Sequence, residues 1–545
     1  MTRSSTTRRL FTLASVILGV VLAVGMTTAA AAQGVPGDAT PVPTAVVVPV
    51  TAESYPYMTA GRLIEPMNLP ALGYVEEEYF ISGRANVYDW AANGDLTVVT
   101  PNAPYTTRIL VRRPSDVARF SGNVAVEIMH TPNRQDFSLM WGWAHDHFLD
   151  HGDAYVAVTV MPVAALALQV FDAERYASIS FANPTPDAPC PGGGAGVGDP
   201  SVEEGLRWDM ISQVGALLKS NVPGRPLAAF EVENLYMTTQ DSVLQTYINA
   251  IHSHARLQDG SPVYDGYVVK GGVRPARINR CAPAIVNGDP RVIMRNVGVP
   301  VIHVQMEGDF PNAFAGRRPD SDEPNDRFRL WEVTGTAHFD TAGYRTGFPM
   351  ISDMVRGGLT PDIRVLPPEM GGYTFETPIE LGGQTRCEPG STTEQPILGY
   401  IFNSAFANLD QWVRRGTPPP RAARLEIVNP GTRQMTIVRD EFGNARGGVR
   451  TPYVDVPNAT YITARENTGR LCRQFGSAEP FTWSRLESVY GDYEGYAAKV
   501  AAAVDKAVED RWLSDTDGSK VRAELLSEPE PEPQPQPQPP GAATR

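Results

Sequence analysis

The sequence predicts an α/β protein built on a mostly parallel sheet with helices on both faces. Short β-rich apolar runs recur at residues 109–111, 124–128, 154–158, 235–237, 267–269 and 301–304, and amphipathic stretches at 140–150, 202–218 and 244–254 lie between several of them. Strands alternating with helices imply parallel pairing, with both faces of the sheet covered. The chain has 545 residues, 42% of them hydrophobic and 20% charged, which is ample for a large core and unlike a disordered or fibrous sequence.

The elements follow in chain order. Arg3, Arg8 and Arg9 precede an apolar run from Leu10 to Met26 and a small-residue stretch from Ala29 to Ala32, the pattern of a cleaved signal peptide over 1–32. Arg8 and Arg9, within Thr7-Arg8-Arg9-Leu10-Phe11, also approximate a twin-arginine signal. The expected product is an exported protein, secreted or held in the cell envelope, with no stable membrane insertion after cleavage. Residues 46–50 and 73–88 read as the first strands, and the α/β pattern occupies 33–526 as one elaborated domain with no internal linker. After Arg421 further strands and turns follow, then a helix whose Val500, Val504, Val508 and Trp512 form one apolar stripe. The tail at 527–545 carries Glu-Pro and Gln-Pro repeats from Glu528 through Pro540, which favour an extended, solvated conformation.

Composition excludes several functions. With 47 basic against 61 acidic residues the net charge is -14, and no basic stripe is present, so nucleic acid is not an expected partner. Cys190, Cys281, Cys387 and Cys472, in an exported chain, predict two disulfides with all three pairings open. They form no CxxC or Cys-His cluster at zinc spacing, and no metal or other cofactor is called for.

In an open parallel sheet, ligands gather at the carboxyl ends of the strands. The strand at 301–305 runs into Met306-Glu307-Gly308-Asp309, and the strand at 329–333 runs into Thr334-Gly335-Thr336-Ala337-His338-Phe339-Asp340. A carboxylate after one strand and a histidine after the next suit a general base, His338, oriented by an acid, Asp309, with Glu307 as the other carboxylate available.

Five segments carry a family likeness: YTTRILVRRP at 105–114, TYINA at 246–250, RPDSD at 318–322, GTAH at 335–338 and LDQWVRRGTPPP at 409–420. Over residues 46–526 the chain resembles the large family of bacterial, often secreted, α/β-hydrolase-domain proteins regarded as esterases. The resemblance implies the α/β-hydrolase fold, hydrolysis of a small-molecule ester or amide, and His338 and Asp309 at the family's histidine and acid positions.

At the nucleophile the chain departs from the family, whose members carry Gly-x-Ser-x-Ser or Gly-x-Ser-x-Gly before the TYINA helix. Here the stretch reads LYMTTQDSVLQ over 235–245, without the glycines that a strained strand-to-helix turn wants on either side of the nucleophile. A gap placed after the turn puts Asp241 at the nucleophile position, an ungapped register puts Thr238 there, and Ser242 is the one serine nearby. Three readings follow: Ser242 attacks and an acyl-enzyme forms; Asp241 attacks, as in dehalogenases and epoxide hydrolases; or the site is inactive and the protein binds without catalysis. An oxyanion donor is expected from the loop Met129-His130-Thr131-Pro132-Asn133.

Other signals read as structural. The pairs His145 and His147, and His252 and His254, point to different sides of a helix and are expected on helix surfaces. Residues 515–518 read as a turn rather than a calcium loop. Residues 192–196 read as a mobile glycine loop.

Overall fold

In the computed structural model of the chain, the described residues are 39–131, 134–191, 196–240, 242–271, 275–286, 288–295, 297–359, 397–463, 474 and 476–527. The predicted signal peptide, Asp241, Cys387, Cys472 and residues 528–545 of the tail lie outside them, as do residues 192–195 of the glycine loop.

Ten strands form one sheet: β1 (Thr44–Val48), β2 (Tyr74–Trp90), β3 (Leu96–Pro114), β4 (Asn123–Ile128), β5 (Ala154–Val158), β6 (Asn234–Gln240), β7 (Gly266–Lys270), β8 (Val301–Met306), β9 (Ser321–Glu323) and β10 (Asp326–Val333). Their spatial order is β1-β2-β3-β5-β4-β6-β7-β8-β10-β9. The six strands from β5 to β10 in that order pair in parallel. Antiparallel β3, β2 and β1 extend one edge, and antiparallel β9 closes the other. Every residue of β4, β5, β7 and β8 is buried, as expected for parallel strands covered on both faces. The chain steps from β4 outward to β5 and then returns to β6 on the other side of β4, so the strand order reverses there and opens a crevice at the carboxyl ends of β4 and β6.

Helix α1 (Leu139–His151) is followed by α2 (Pro162–Phe171), α3 (Arg207–Lys219) and the one-turn α4 (Ser242–Thr246); α5 (Thr341–Gly347), α6 (Ile351–Arg356) and α7 (Ile397–Arg415) come later. α1, α5 and α7 pack together. Glycine makes that packing possible: a Cβ on Gly142 would stand 2.3 Å from the Gly343 carbonyl, and one on Gly343 would stand 2.0 Å from Trp143 Nε1. Among the described residues after α7 come short hairpins, a one-turn helix at Pro452–Asp455 and three longer helices, Trp483–Tyr490, Tyr493–Glu509 and Asp515–Leu525. Val500 and Val504 are buried as their stripe predicts, and Trp512, just past the helix, meets Trp331 edge-on at 4.9 Å. Cys190 and Cys281 form one disulfide.

Three local expectations are corrected. His147 is buried beside Asp153, Nε2 to Oδ2 3.4 Å, and His252 is buried between the Tyr267 hydroxyl at 2.6 Å and the Val297 carbonyl at 3.0 Å. His145 and His147 diverge around α1, and His252 and His254 lie in the turn just after Ile251, so in each pair one member faces the core while the other stays nearer the surface. Residues 515–518 begin a helix rather than a turn, because the Ser514 hydroxyl accepts from the Asp517 N–H at 3.0 Å and caps it. The stretch at 244–254 is a turn of α4 continued by a π-helical turn over Tyr247–Ile251, not one α-helix.

Candidate active site

Four strand ends converge on His338. β8 stops at Met306 and enters a single 3-10 turn, Glu307–Asp309. β10 stops at Val333 and enters the loop that carries His338, where Gly335 takes a left-handed φ of +78° and the Thr336 hydroxyl donates back to the Val333 carbonyl at 2.7 Å. The two segments touch through Gly308, whose N–H donates to the Thr336 carbonyl at 2.9 Å and whose Cα faces the backbone of Ala337 and His338.

The two carboxylates of the β8 turn do different work. Glu307 is fully buried and points into the scaffold: it accepts from the Gly335 N–H at 2.8 Å and the Thr463 hydroxyl at 2.9 Å, and it pairs with Arg439. It ties the histidine loop to the C-terminal hairpins. Asp309 faces the imidazole instead, with Oδ1 2.5 Å from His338 Nδ1.

That bond assigns the tautomer: Nδ1–H donates to Asp309, and the Nε2 lone pair is left to accept. Gln240, the last residue of β6, supplies the donor, with its Nε2 3.2 Å from His338 Nε2. The amide oxygen of Gln240 is buried with no hydrogen-bond partner among the described residues. Lys270 ends β7, and its Nζ donates to the His338 carbonyl at 2.8 Å. The ammonium lies 4.6 Å from the Trp143 ring centre and 5.4 Å from that of Phe339. Phe339 also packs edge-on against the imidazole at 4.6 Å. Asp340 caps α5 through the Gly343 N–H and accepts from Trp143 Nε1 at 2.9 Å.

Burial governs the titration of these groups, and the local charges modulate it. Desolvation raises the Asp309 carboxyl, but the charge of His338, its hydrogen bond and the Lys270 ammonium outweigh this and hold it below the usual carboxylate range. Burial lowers His338, Asp309 pulls it back up and Lys270 pushes it down again, so it lies below the ordinary histidine value. Burial lowers Lys270 to about 8, against the pull of Asp309 and Asp340. Near neutral pH the resting pair is therefore a carboxylate and a neutral imidazole, the form a general base needs.

Ser242 opens α4, two residues after the end of β6, and lines a cavity of about 330 Å³ with Met129, Thr131, Thr239 and Val243 among its walls. The group on His338 Nε2 is Gln240, so Ser242 is brought to the same strand end as the imidazole but not onto its nitrogen. Thr238 is buried within β6 itself. Two expected oxyanion donors are otherwise engaged: the Met129 N–H donates to the Val158 carbonyl at 3.2 Å and the His130 N–H to Phe137 at 3.1 Å. Thr131 of that loop lines the cavity. Lys270 and Gln240 were not singled out from sequence as site residues. A lysine closing the apolar run Tyr267-Val268-Val269 is the one signal that pointed to Lys270, and Gln240 had none.

The family model for the alpha/beta hydrolase domain matches residues 39–523. No curated relative matches the chain. Among solved structures, a glucuronoyl esterase from Solibacter usitatus is 10% identical, with 54% of this chain and 82% of that one covered at a TM-score of 0.25. The esterase Est22 is 11% identical, with 54% and 79% covered, also at 0.25.

Proposed function

The chain belongs to the alpha/beta hydrolase domain family, and on that premise we propose that it is an exported hydrolase of small carboxylic esters. The observation that carries the proposal is the Asp309–His338 pair, 2.5 Å apart at the carboxyl ends of β8 and β10, with its second imidazole nitrogen accepting from Gln240 at the end of β6. In this reading Gln240 swings off Nε2 when substrate enters, and the Ser242 hydroxyl takes its place. Ser242 Oγ attacks the ester carbonyl while His338 accepts the hydroxyl proton. Asp309, already ionised, stabilises the imidazolium that forms. The imidazolium then protonates the departing alcohol, leaving an acyl group on Ser242. His338 then takes a proton from the water that attacks the acyl carbon and returns it to Ser242 Oγ as the acid leaves.

A second reading has one observation in its favour. β6 ends at Gln240 and α4 begins at Ser242, and this fold places its nucleophile between a strand and the helix that follows it. With Asp241 attacking the carbon of a haloalkane or epoxide, the carbon–halogen or epoxide C–O bond breaks, an alkyl ester of the protein forms, and water activated by His338 hydrolyses it. The compartment and domain limits are part of the same proposal: a signal peptide over 1–32, a catalytic domain over 33–526 and a solvated tail over 527–545. The disulfide suits export, and no helix among the described residues is long and apolar enough to cross a membrane.

Intact mass after fluorophosphonate treatment, measured beside turnover of a p-nitrophenyl ester, tests the proposal on wild type, Ser242→Ala and Asp241→Asn. A single phosphonyl adduct lost only in Ser242→Ala, together with ester turnover, is expected. Turnover of a haloalkane or epoxide that survives Ser242→Ala and vanishes in Asp241→Asn would replace it with the second reading.

A further inference from the structure

The cavity beside the strand-to-helix turn has two unlike walls. Met129, Val160, Met161 and Val243 make one of them apolar, while Glu204, Arg207 and Arg277 bring charge to the other. Among the described residues of the lining two positive charges stand against one negative, and the hydrogen bonds identify which of the two cations has no carboxylate partner among those residues. Arg207 is almost fully buried and already engaged: its Nη1 lies 3.4 Å from Glu204 and 2.9 Å from Met161 Sδ, and its Nη2 donates to the Arg277 carbonyl at 2.8 Å. Arg277 is half-buried, its Nη1 donates to the Ala282 carbonyl, and no carboxylate among the described residues pairs with it. A guanidinium has five N–H donors in a planar fork, so most of those on Arg277 remain for a ligand.

Position strengthens the reading. The Ala276 N–H donates to the Ser242 carbonyl at 3.4 Å, and the Thr246 hydroxyl donates to the Ala276 carbonyl at 2.9 Å. Arg277 is thus held one residue from a point pinned to the start of α4. A cation on the wall of a largely apolar cavity is stabilised by an anion that supplies the missing carboxylate, and the fork geometry suits a carboxylate bound through both oxygens. At about 330 Å³ the space is at the small end of ligand pockets.

We infer that this cavity binds small esters that carry a free carboxylate, the half-esters of short dicarboxylic acids, with Arg277 as the carboxylate contact. The inference rests on the ester-hydrolase reading for its chemistry, but the binding it requires is measurable without turnover.

The test uses the full chain and levulinate, the non-hydrolysable ketone analogue of monomethyl succinate, with 2-pentanone as its uncharged counterpart. Calorimetric titration is expected to show levulinate binding at least tenfold tighter than 2-pentanone. That preference should be lost in Arg277→Met and partly kept in Arg277→Lys, with each variant's thermal transition confirming that it is folded. In parallel, kcat/KM for monomethyl succinate should exceed that for methyl butyrate, and Arg277→Met should lower this ratio at least tenfold. Equal binding of levulinate and 2-pentanone, unchanged levulinate affinity in folded Arg277→Met, or tighter binding of inorganic phosphate than of levulinate would overturn the carboxylate assignment. Selective levulinate binding with no turnover of either ester would support the subsite and overturn the hydrolase reading. Turnover of both esters without charge preference would do the reverse.

Discussion

Gly308 is the point where the acid turn and the histidine loop meet, and Gly308→Ala tests whether their spacing sets the rate. A Cβ there would lie 2.7 Å from the Thr463 carbonyl oxygen, 3.0 Å from Ala337 Cα and 3.0 Å from the His338 nitrogen. Ordinary contacts at these atoms are about 3.5 Å, so relief requires movements of about 0.5 to 0.8 Å, all against backbone. Thr463 is a poor direction in which to yield, because its hydroxyl is tied to Glu307 at 2.9 Å. The displacement therefore falls largely on residues 337–338 and opens the bond from Asp309 to His338, now 2.5 Å. A misplacement of about 1 Å costs roughly a hundredfold in rate, so half that shift should cost about tenfold in kcat. Overpacking should cost about 1–3 kcal/mol of stability. Steady-state ester turnover measures the first and calorimetric unfolding the second. Wild-type kcat together with a wild-type unfolding transition would refute the close apposition of the two loops, and a lowered transition with unchanged kcat would refute its catalytic relevance.

Asp309→Asn should leave the fold intact and lower kcat by several orders of magnitude, since the amide disfavours the tautomer with a free Nε2; full activity measured by pH-stat would move the acid role elsewhere. Lys270→Met removes a positive charge that lowers His338, so the acidic limb of the kcat/KM profile should move to higher pH; a limb at the wild-type position would show that Lys270 acts only through its bond to the His338 carbonyl. Burial lowers His252 and His303 to about 4, so between about pH 6.5 and 4 the unfolded chain takes up protons that the native protein refuses. Stability should therefore fall as pH drops through that window, and His252→Gln should flatten the slope in denaturant titrations at pH 7 and 5; an unchanged slope would refute the assignment.

Sequence makes the strands of the parallel core legible because each carries a short, β-rich run in which apolar residues predominate. Residues 154–158 coincide with β5. Of the two long antiparallel strands, the run at 73–88 matches β2, whereas only 109–111 of β3 is legible, because much of the rest of Leu96–Pro114 is partly exposed and polar. The helix expected from residue 202 starts at Arg207, after a 3-10 turn that Glu203 caps through the Gly205 N–H at 2.8 Å. Asp309 and His338 could be proposed because each follows its own strand directly. Gln240 and Lys270 could not, because their contacts to His338 span 98 and 68 residues and depend on β6, β7, β8 and β10 lying side by side. Spacing along the chain carries no trace of such a meeting, whereas an acid or a histidine announces its chemistry by type. Ser242 shows the reverse case: its type is right, but the imidazole nitrogen is held by an amide that no serine motif foretells.

The place of Lys270 follows from what burial does to an acid and a base together. Desolvation raises Asp309 and lowers His338, pushing both toward neutrality and against the ion pair that proton transfer creates. A cation beside them breaks this symmetry, because the Lys270 charge favours an ionised Asp309 and opposes a protonated His338. The resting pair is thereby fixed as carboxylate and neutral imidazole, while the short bond to Asp309 keeps the imidazolium attainable once a proton arrives. A neutral residue at 270 would leave the acid less firmly ionised and the base more readily protonated, which weakens the pair in its resting state from both sides. The aromatic faces of Trp143 and Phe339 suit this role, since they accommodate an ammonium without supplying the counter-charge that would cancel its effect on the histidine.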